Sequence, residues 1–311
     1  MNAALLAAAL LVGCLLAVQA SVNLQLNKAV GTPYGASTVQ LGVATGLLVV
    51  LAAVTGALGA LGELPGVQWW HLLGGLVSPL YITSGILLLP RLGALAAVGL
   101  FVTGQMFSSL ILDLGGLFGL ETRGLSPGIA LGAAAVLAGI AVIIKGQNAS
   151  APPGAPPAAL GRAGWIALGI VAGGVLPVQG AVNAELRHGL GAPVTVAAFS
   201  FAVATLTITV VLLVLRVTGR TPGPRMAPLR SMPWWGWLGG VCAAGYVTGT
   251  FLLIPEIGAA VTVGLTVTGQ QLTSALIDHR GMFRLPTRHL TVPRLSGLAL
   301  LLTGSLAVQL G

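Results

Sequence analysis

Charge is what this chain has least of. Only 6% of its 311 residues are charged, 56% are hydrophobic, and the mean hydropathy is +0.98. So few charges cannot solvate the surface of a globular domain, which excludes an ordinary water-soluble protein. Acidic residues are scarcer than basic ones, 6 against 14, giving a net charge of +8. In a soluble chain that balance would suggest nucleic acid. Here the basic residues lie between apolar runs, where loop charge sets topology instead. The two cysteines, Cys14 and Cys242, both fall within apolar runs. That argues against a disulfide framework or a thiolate metal site. The histidines, His71, His188, His279 and His289, lie near the ends of runs, with no second ligand at metal-binding spacing. No Ser-His-Asp set or phosphate-binding glycine loop stands out. No metal or cofactor is expected, and an intramembrane enzyme is a weak reading.

What is present is apolar sequence in bilayer-spanning lengths. Ten runs are expected, at roughly 3–26, 34–59, 68–89, 92–114, 125–145, 164–187, 193–217, 233–254, 257–278 and 291–310. Only residues 148–157, rich in Ala, Pro and Gly, have linker composition. The expected organisation is a first unit over 1–146, a linker over 147–163 and a second unit over 164–311. The first 20 residues resemble a signal peptide ending in a lipoprotein box at Cys14. They lack a basic leader, however, and they align with the internal segment up to Gln179, so span 1 is expected to be retained.

The two units carry the same polar marks. Val18-Gln19 through Val22-Asn23, Leu26, Gly31 and Pro33 return as Val178-Gln179 through Val182-Asn183, Leu186, Gly191 and Pro193. At this offset of 160, 7 of 16 positions are identical. Gly104-Gln105, Ser109, Asp113, Gly116 and Phe118 return 165 residues later as Gly269-Gln270, Ser274, Asp278, Gly281 and Phe283. Trp69-Trp70 and Trp234-Trp235, Tyr81 and Tyr246, and Pro90 and Pro255 share the second offset. Duplication of this kind marks transporters built from repeats.

Loop charge orients the chain. With ten spans, one side holds 12 basic residues, from Lys28 to Arg294, and the other only Arg123 and Arg187. The basic side is then cytoplasmic, and both termini face outside. Five spans per unit is an odd number, so the second unit starts on the opposite side from the first. The expected fold is all-α, ten transmembrane helices as two inverted five-helix repeats.

Polar residues inside the spans are the candidate site. Gln19 and Asn23 share a face of span 1, and Gln179 and Asn183 share one on span 6. Gln105, Ser109 and Asp113, with Ser108 beside them, stripe span 4; Gln270, Ser274 and Asp278 stripe span 9. Four stripes on corresponding helices suit a substrate cavity between the repeats, although amides and hydroxyls also hold membrane helices together. No carboxylate lies at mid-span. Asp278 is expected to be a solvated ion-pair or helix-end group, and Asp113 and Glu185 are the possible coupling acids. The tryptophans that begin spans 3 and 8 are expected to form an interfacial belt. Small-xxx-small pairs at Gly42/Gly46 and Gly245/Gly249 are expected to let helices approach closely.

These residues also carry a family resemblance. PVQGAVNAEL followed by Gly191 and Pro193, the Leu-x-Pro-x-x-Gly turn at 253–258, and GQQLTSALID with Gly281 resemble the five-span domain of the YdcZ-like inner-membrane proteins. The resemblance covers nearly the whole chain as two fused copies. The first copy departs at Ala17, where proline is expected, and at Gln40, where Ser is expected as at Ser200. That family is placed in the drug/metabolite transporter superfamily. The resemblance implies a bacterial inner-membrane secondary transporter, an exporter of metabolites or drugs, and the polar amides of the candidate cavity favour a small polar or amphiphilic substrate. The alternative is a non-transporting membrane scaffold. The expected partners are the substrate and the bilayer, not nucleic acid, with a monomer or a homodimer both open.

The orientation is testable. Single cysteines near Gly154 should be protected from an impermeant thiol reagent in intact cells, while those near Glu63 should be labelled. Labelling near Gly154 would overturn both the orientation and the inversion.

Overall fold

The computed structural model describes residues 3–119, 122, 124–148 and 161–310. These contain nine α-helices and no strand: α1 (Ala3–Val30), α2 (Pro33–Val54), α3 (Ser78–Gly115), α4 (Pro127–Asn148), α5 (Arg162–Leu190), α6 (Pro193–Val217), α7 (Leu238–Ile257), α8 (Ala259–Arg280) and α9 (Val292–Leu310). The linker lies mostly outside the described residues. Eight stretches are long and apolar enough to cross a membrane. One of them, Trp69–Gly115, is 47 residues long, and α8 is not among the eight because its Thr, Gln and Ser residues lower its hydropathy.

The repeated sequence marks are helix punctuation. Gly31 (φ 83°) and Gly191 (φ 64°) lie in the left-handed region just past α1 and α5, where a helix is readily ended by glycine. Pro33 and Pro193 then open α2 and α6, at the position where a missing N–H costs nothing. A second pair of glycines breaks helices. Gly93 (φ 77°, ψ 169°) divides α3 into arms 78–92 and 94–115. Gly258 (φ 82°, ψ 156°) separates α7 from α8. Pro90 and Pro255 lie just before these breaks, and each joint is a single residue.

Two boundaries differ from the sequence expectation. The second run ends at Val54, and after Gly56 (φ 71°) residues Ala57–Gly66 form a separate 3-10 stretch. The tryptophans stand in 3-10 segments, Trp69–Val77 and Trp234–Trp237, that lead into α3 and α7.

The two halves interleave. α1 packs on α7 and α8; α5 packs on α3 and on residues 69–77; α2 meets α6 and α4 meets α9. Contacts recur at the sequence offsets. The Thr45 and Thr205 hydroxyls, which are counterparts, hydrogen-bond at 2.9 Å. A Cβ at Gly13 would collide with the Thr266 backbone, and one at its counterpart Gly173 with the Phe101 backbone. Likewise a Cβ at Gly104 would collide with the Ile170 carbonyl, and one at Gly269 with the Leu10 carbonyl. These four glycines bring backbone against backbone. Gly245 and Gly249 accept Leu15 and Val12 of α1 as expected, but nothing lies within 4 Å of a Cβ at Gly42 or Gly46. The pattern alone therefore did not identify the close crossings.

Gly269→Ala should destabilise the folded protein by about 1–3 kcal/mol, because backbone rather than a movable side chain blocks the methyl. Gly42→Ala should be neutral, or stabilising by up to about 1 kcal/mol through helix propensity. Unfolding midpoints in detergent would show the contrast; equal shifts would contradict it.

Candidate functional site

The polar stripes point inward and form two matching clusters. In one, Asn23 (1% exposed) donates through Nδ2 to Gln40 Oε1 at 3.3 Å, and Gln40 Nε2 donates to the Gly239 carbonyl at 3.4 Å. In the other, Asn183 donates to the Ser200 hydroxyl at 3.1 Å, and so does Gln179 Nε2 at 3.3 Å. The Ser78 hydroxyl donates to Gln179 Oε1 at 2.7 Å. Each asparagine oxygen faces a glycine backbone, Asn23 at Gly239 and Asn183 at Gly74.

A third group joins the α8 stripe to Tyr81 of α3. Gln270 Nε2 donates to the Tyr81 hydroxyl at 3.2 Å, and the Tyr81 ring packs on Phe101 with centroids 4.7 Å apart. Thr266, the counterpart of Phe101, donates to the Val263 carbonyl at 3.0 Å instead. Ser274 is fully buried and donates to the Gln271 carbonyl at 2.8 Å. Ser108 and Ser109 are half-buried, with Ser108 against Gly174 of α5.

These clusters are not fully satisfied. Among the described residues, Gln19 Oε1, Asn23 Oδ1, Asn183 Oδ1, Gln105 Nε2 and both polar atoms of Gln271 are buried with no hydrogen-bond partner in the protein. A buried amide atom left so costs about 1–3 kcal/mol. The Gln19 orphan has a visible origin. Ser78 serves Gln179, but 165 residues later the chain has Ala243, so Gln19 lacks the matching donor. Gln105 lacks the tyrosine partner that Gln270 has in Tyr81.

The sequence reading missed several of these residues. Gln40 was visible only as a departure from its counterpart Ser200, and the tyrosines only as repeat markers. Gln271 was hidden beside Gln270; its counterpart is Met106.

The two ends of the bundle differ. At the end that gathers Arg91, Arg162, Arg288 and Arg294, Asp278 is 1% exposed and ion-paired to Arg294 at 2.6 Å. It also accepts the backbone N–H groups of Ala94 and Leu95 at 2.7 and 3.2 Å, capping the second arm of α3. Arg294, itself 2% exposed, donates to the carbonyls of Arg288 and His289. The expected helix-end role of Asp278 is present, but the group is buried rather than solvated, because Arg294 reaches it from α9. The equivalent of Arg294 is Ile129. At the opposite end, Asp113 is half-buried and the Glu185 carboxylate lies against Gly119.

With this geometry in hand, the relationship is plain. A family model described as "Putative inner membrane exporter, YdcZ" matches twice, over residues 4–142 and 164–307. The chain belongs to that family, as two fused copies, and is a membrane protein of transporter type. No curated protein matches it. One solved structure, described only as "Crystal structure of protein", is similar in fold, with a TM-score of 0.53 at 18% identity over 97% of this chain and 98% of that one.

The missing donor can be supplied. Ala243→Ser should stabilise the protein by about 0.5–1.5 kcal/mol by hydrogen-bonding Gln19, and Ser78→Ala, which strands Gln179 Oε1, should cost about 1–3 kcal/mol. Loss at both positions in thermal unfolding would show that the two clusters are not equivalent.

Proposed function

We propose that the chain is a secondary transporter, an exporter of a small polar or amphiphilic metabolite or drug, working by alternating access between two inverted five-helix repeats. Ten spans follow if the stretch Trp69–Gly115 is divided at Gly93 and α8 is counted. Its 22 residues reach roughly 33 Å, enough to cross a bilayer core. The repeats are then 1–146 and 164–311, with the linker on the cytoplasmic side and both termini outside. The recurrence of contacts at the 160 and 165 offsets supports this arrangement.

The observation that carries the reading is the set of orphaned amide atoms on α1, α3, α5 and α8. Gln19, Asn23, Gln105, Ser108, Ser109, Gln179, Asn183, Gln270 and Ser274 are the proposed substrate contacts. In this closed conformation their unmet hydrogen bonds are a cost, and a second conformation that admits water or substrate recovers it. Four helices with unmet donors and acceptors make a transient polar path more economical than a permanent seam. Asp113 and Glu185, at the less basic end, are the acids placed to take a coupling proton.

The scaffold reading has one point in its favour. The stripes are tightly packed, and a pocket of about 500 Å³ lies at the basic end rather than between them. Accessibility separates the two. In a background without Cys14 and Cys242, Ser200→Cys and Ser274→Cys sit at positions 2% and 0% exposed here. Transport by alternating access requires that a water-soluble thiol reagent modify them from at least one side of the membrane, on the timescale of exchange between conformations. Protection of both sites from both sides would favour the scaffold.

A further inference from the structure

The basic end holds a pocket of about 500 Å³ lined by Trp234, Trp235, Leu238, Phe283 and Arg284. The rings of Trp235 and Phe283 are 5.5 Å apart, and the Arg284 guanidinium lies over Trp235, 5.9 Å from the ring centre. Among the described residues the only ion pair is Arg294 with Asp278, so no carboxylate engages Arg284. The turn is fixed from below, where Gln25 Nε2 of α1 donates to the Phe283 carbonyl at 3.0 Å.

The backbone at this turn is strained. Phe283 has φ 56° and Arg284 φ 59°, both in the left-handed region that side chains avoid. The opposite end builds the same turn with Phe118 at φ 55° and Gly119 at φ 73°, so the second position is relaxed there. The chain thus places a guanidinium where its own duplicate uses glycine. Such strain persists where a side chain has work to do. The neighbouring charge also changes between the ends. The counterpart of Gln25 is Glu185, whose carboxylate lies against Gly119, beside the Trp70–Phe118 pair with centroids 5.8 Å apart. One aromatic turn carries a cation that no carboxylate among the described residues pairs, and the other lies against a carboxylate.

We infer that the Trp235–Phe283–Arg284 pocket binds a small amphiphilic organic anion, and that it is the loading site of the export path. Its role in loading rests on the transport reading above. The exposed N–H edge of Arg284 takes a carboxylate or sulfonate in two-point fashion. The Trp and Phe rings hold the planar or apolar body, and the volume suits a single small molecule. At the far end, Glu185 in the equivalent turn disfavours the same anion, which eases its release. An anion also leaves a cell down the interior-negative membrane potential, which fits a transporter without a mid-span carboxylate.

The test uses three probes of one size that quench tryptophan fluorescence: 4-nitrobenzoate, 4-nitrobenzamide and 4-nitrobenzylammonium, added to the full chain in non-ionic detergent. Saturable quenching by the benzoate is expected, with affinity at least tenfold above the other two. Arg284→Gly, which suits the φ at this position, should lower that affinity at least tenfold. Trp235→Leu should remove most of the quenching, and Trp69→Leu should not. Equal affinity for the three probes, no saturable quenching by the benzoate, or an unchanged affinity in Arg284→Gly would overturn the inference. So would displacement of the benzoate by phosphatidylglycerol but not by phosphatidylcholine, which would assign the pocket to lipid headgroups. Efflux of the three probes from proteoliposomes distinguishes the two levels. If the ammonium or amide probe is carried and Arg284→Gly does not alter its rate, transport stands and the anion site falls. If the benzoate binds as expected but no probe is carried, the pocket stands and its role in loading falls.

Discussion

Close crossing of helices at four glycines is the constraint on which this bundle depends. In a membrane, helices gain little hydrophobic free energy from touching one another, so backbone proximity and polar contacts must hold them. Gly13 and Gly269 set α1 against α8, and Gly173 and Gly104 set α5 against the second arm of α3. Each crossing joins one half of the sequence to the other. The Cys14 thiol lies at one of them, 3.7 Å from the Gly269 carbonyl. A rocking motion that moved the sequence halves as blocks would tear these contacts. In the transport reading proposed above, the two repeats would therefore exchange helices between the moving units, with α1 carried by α7 and α8, and α5 carried by α3.

Given that frame, the informative positions are those where the duplicate differs from its partner. Ser78 against Ala243 leaves Gln19 unsatisfied. Gln270 bonds Tyr81, while the amide nitrogen of its counterpart Gln105 is left without a partner. Arg294 against Ile129 gives one end a buried ion pair that ties α3, α8 and α9 together, where removal of the arginine would strand the carboxylate. Gly119 against Arg284, with Glu185 against Gln25, gives the two mouths opposite charge. Two copies of one fold cannot by themselves tell inside from outside; these substitutions can.

Much of this was legible in the sequence. The two offsets located the corresponding helices, and Gly31-x-Pro33 with Gly191-x-Pro193 gave the helix ends. The amides of α1 and α5 were visible because polar side chains are rare in such runs. Other features needed coordinates. Gly42 and Gly46 have the same spacing as Gly245 and Gly249, yet face open space, since spacing does not say which side of a helix meets a neighbour. Asp278 read as a solvated ion-pair or helix-end group, and its burial was not legible because its ion-pair partner lies 16 residues away on the next helix. The tyrosines and Gln271 became notable only through their contacts, or the lack of them. The joint at Gly93 was expected between the runs ending at 89 and beginning at 92, but the positive φ that makes it a single residue needed the structure.

The central claim is that the two ends of this bundle open in turn. Spin labels at Lys28 and Arg91 span the basic end, and labels at their counterparts His188 and Glu256 span the other; all four positions are exposed. Each pair also joins one mixed unit to the other, α1 to α3 and α5 to α7. Pulsed electron–electron distance measurements in proteoliposomes should show two distances for each pair. A transported substrate should shift their populations in opposite directions, the long distance at one end rising as that at the other falls. A single unchanging distance at both ends, with and without substrate, would contradict the account.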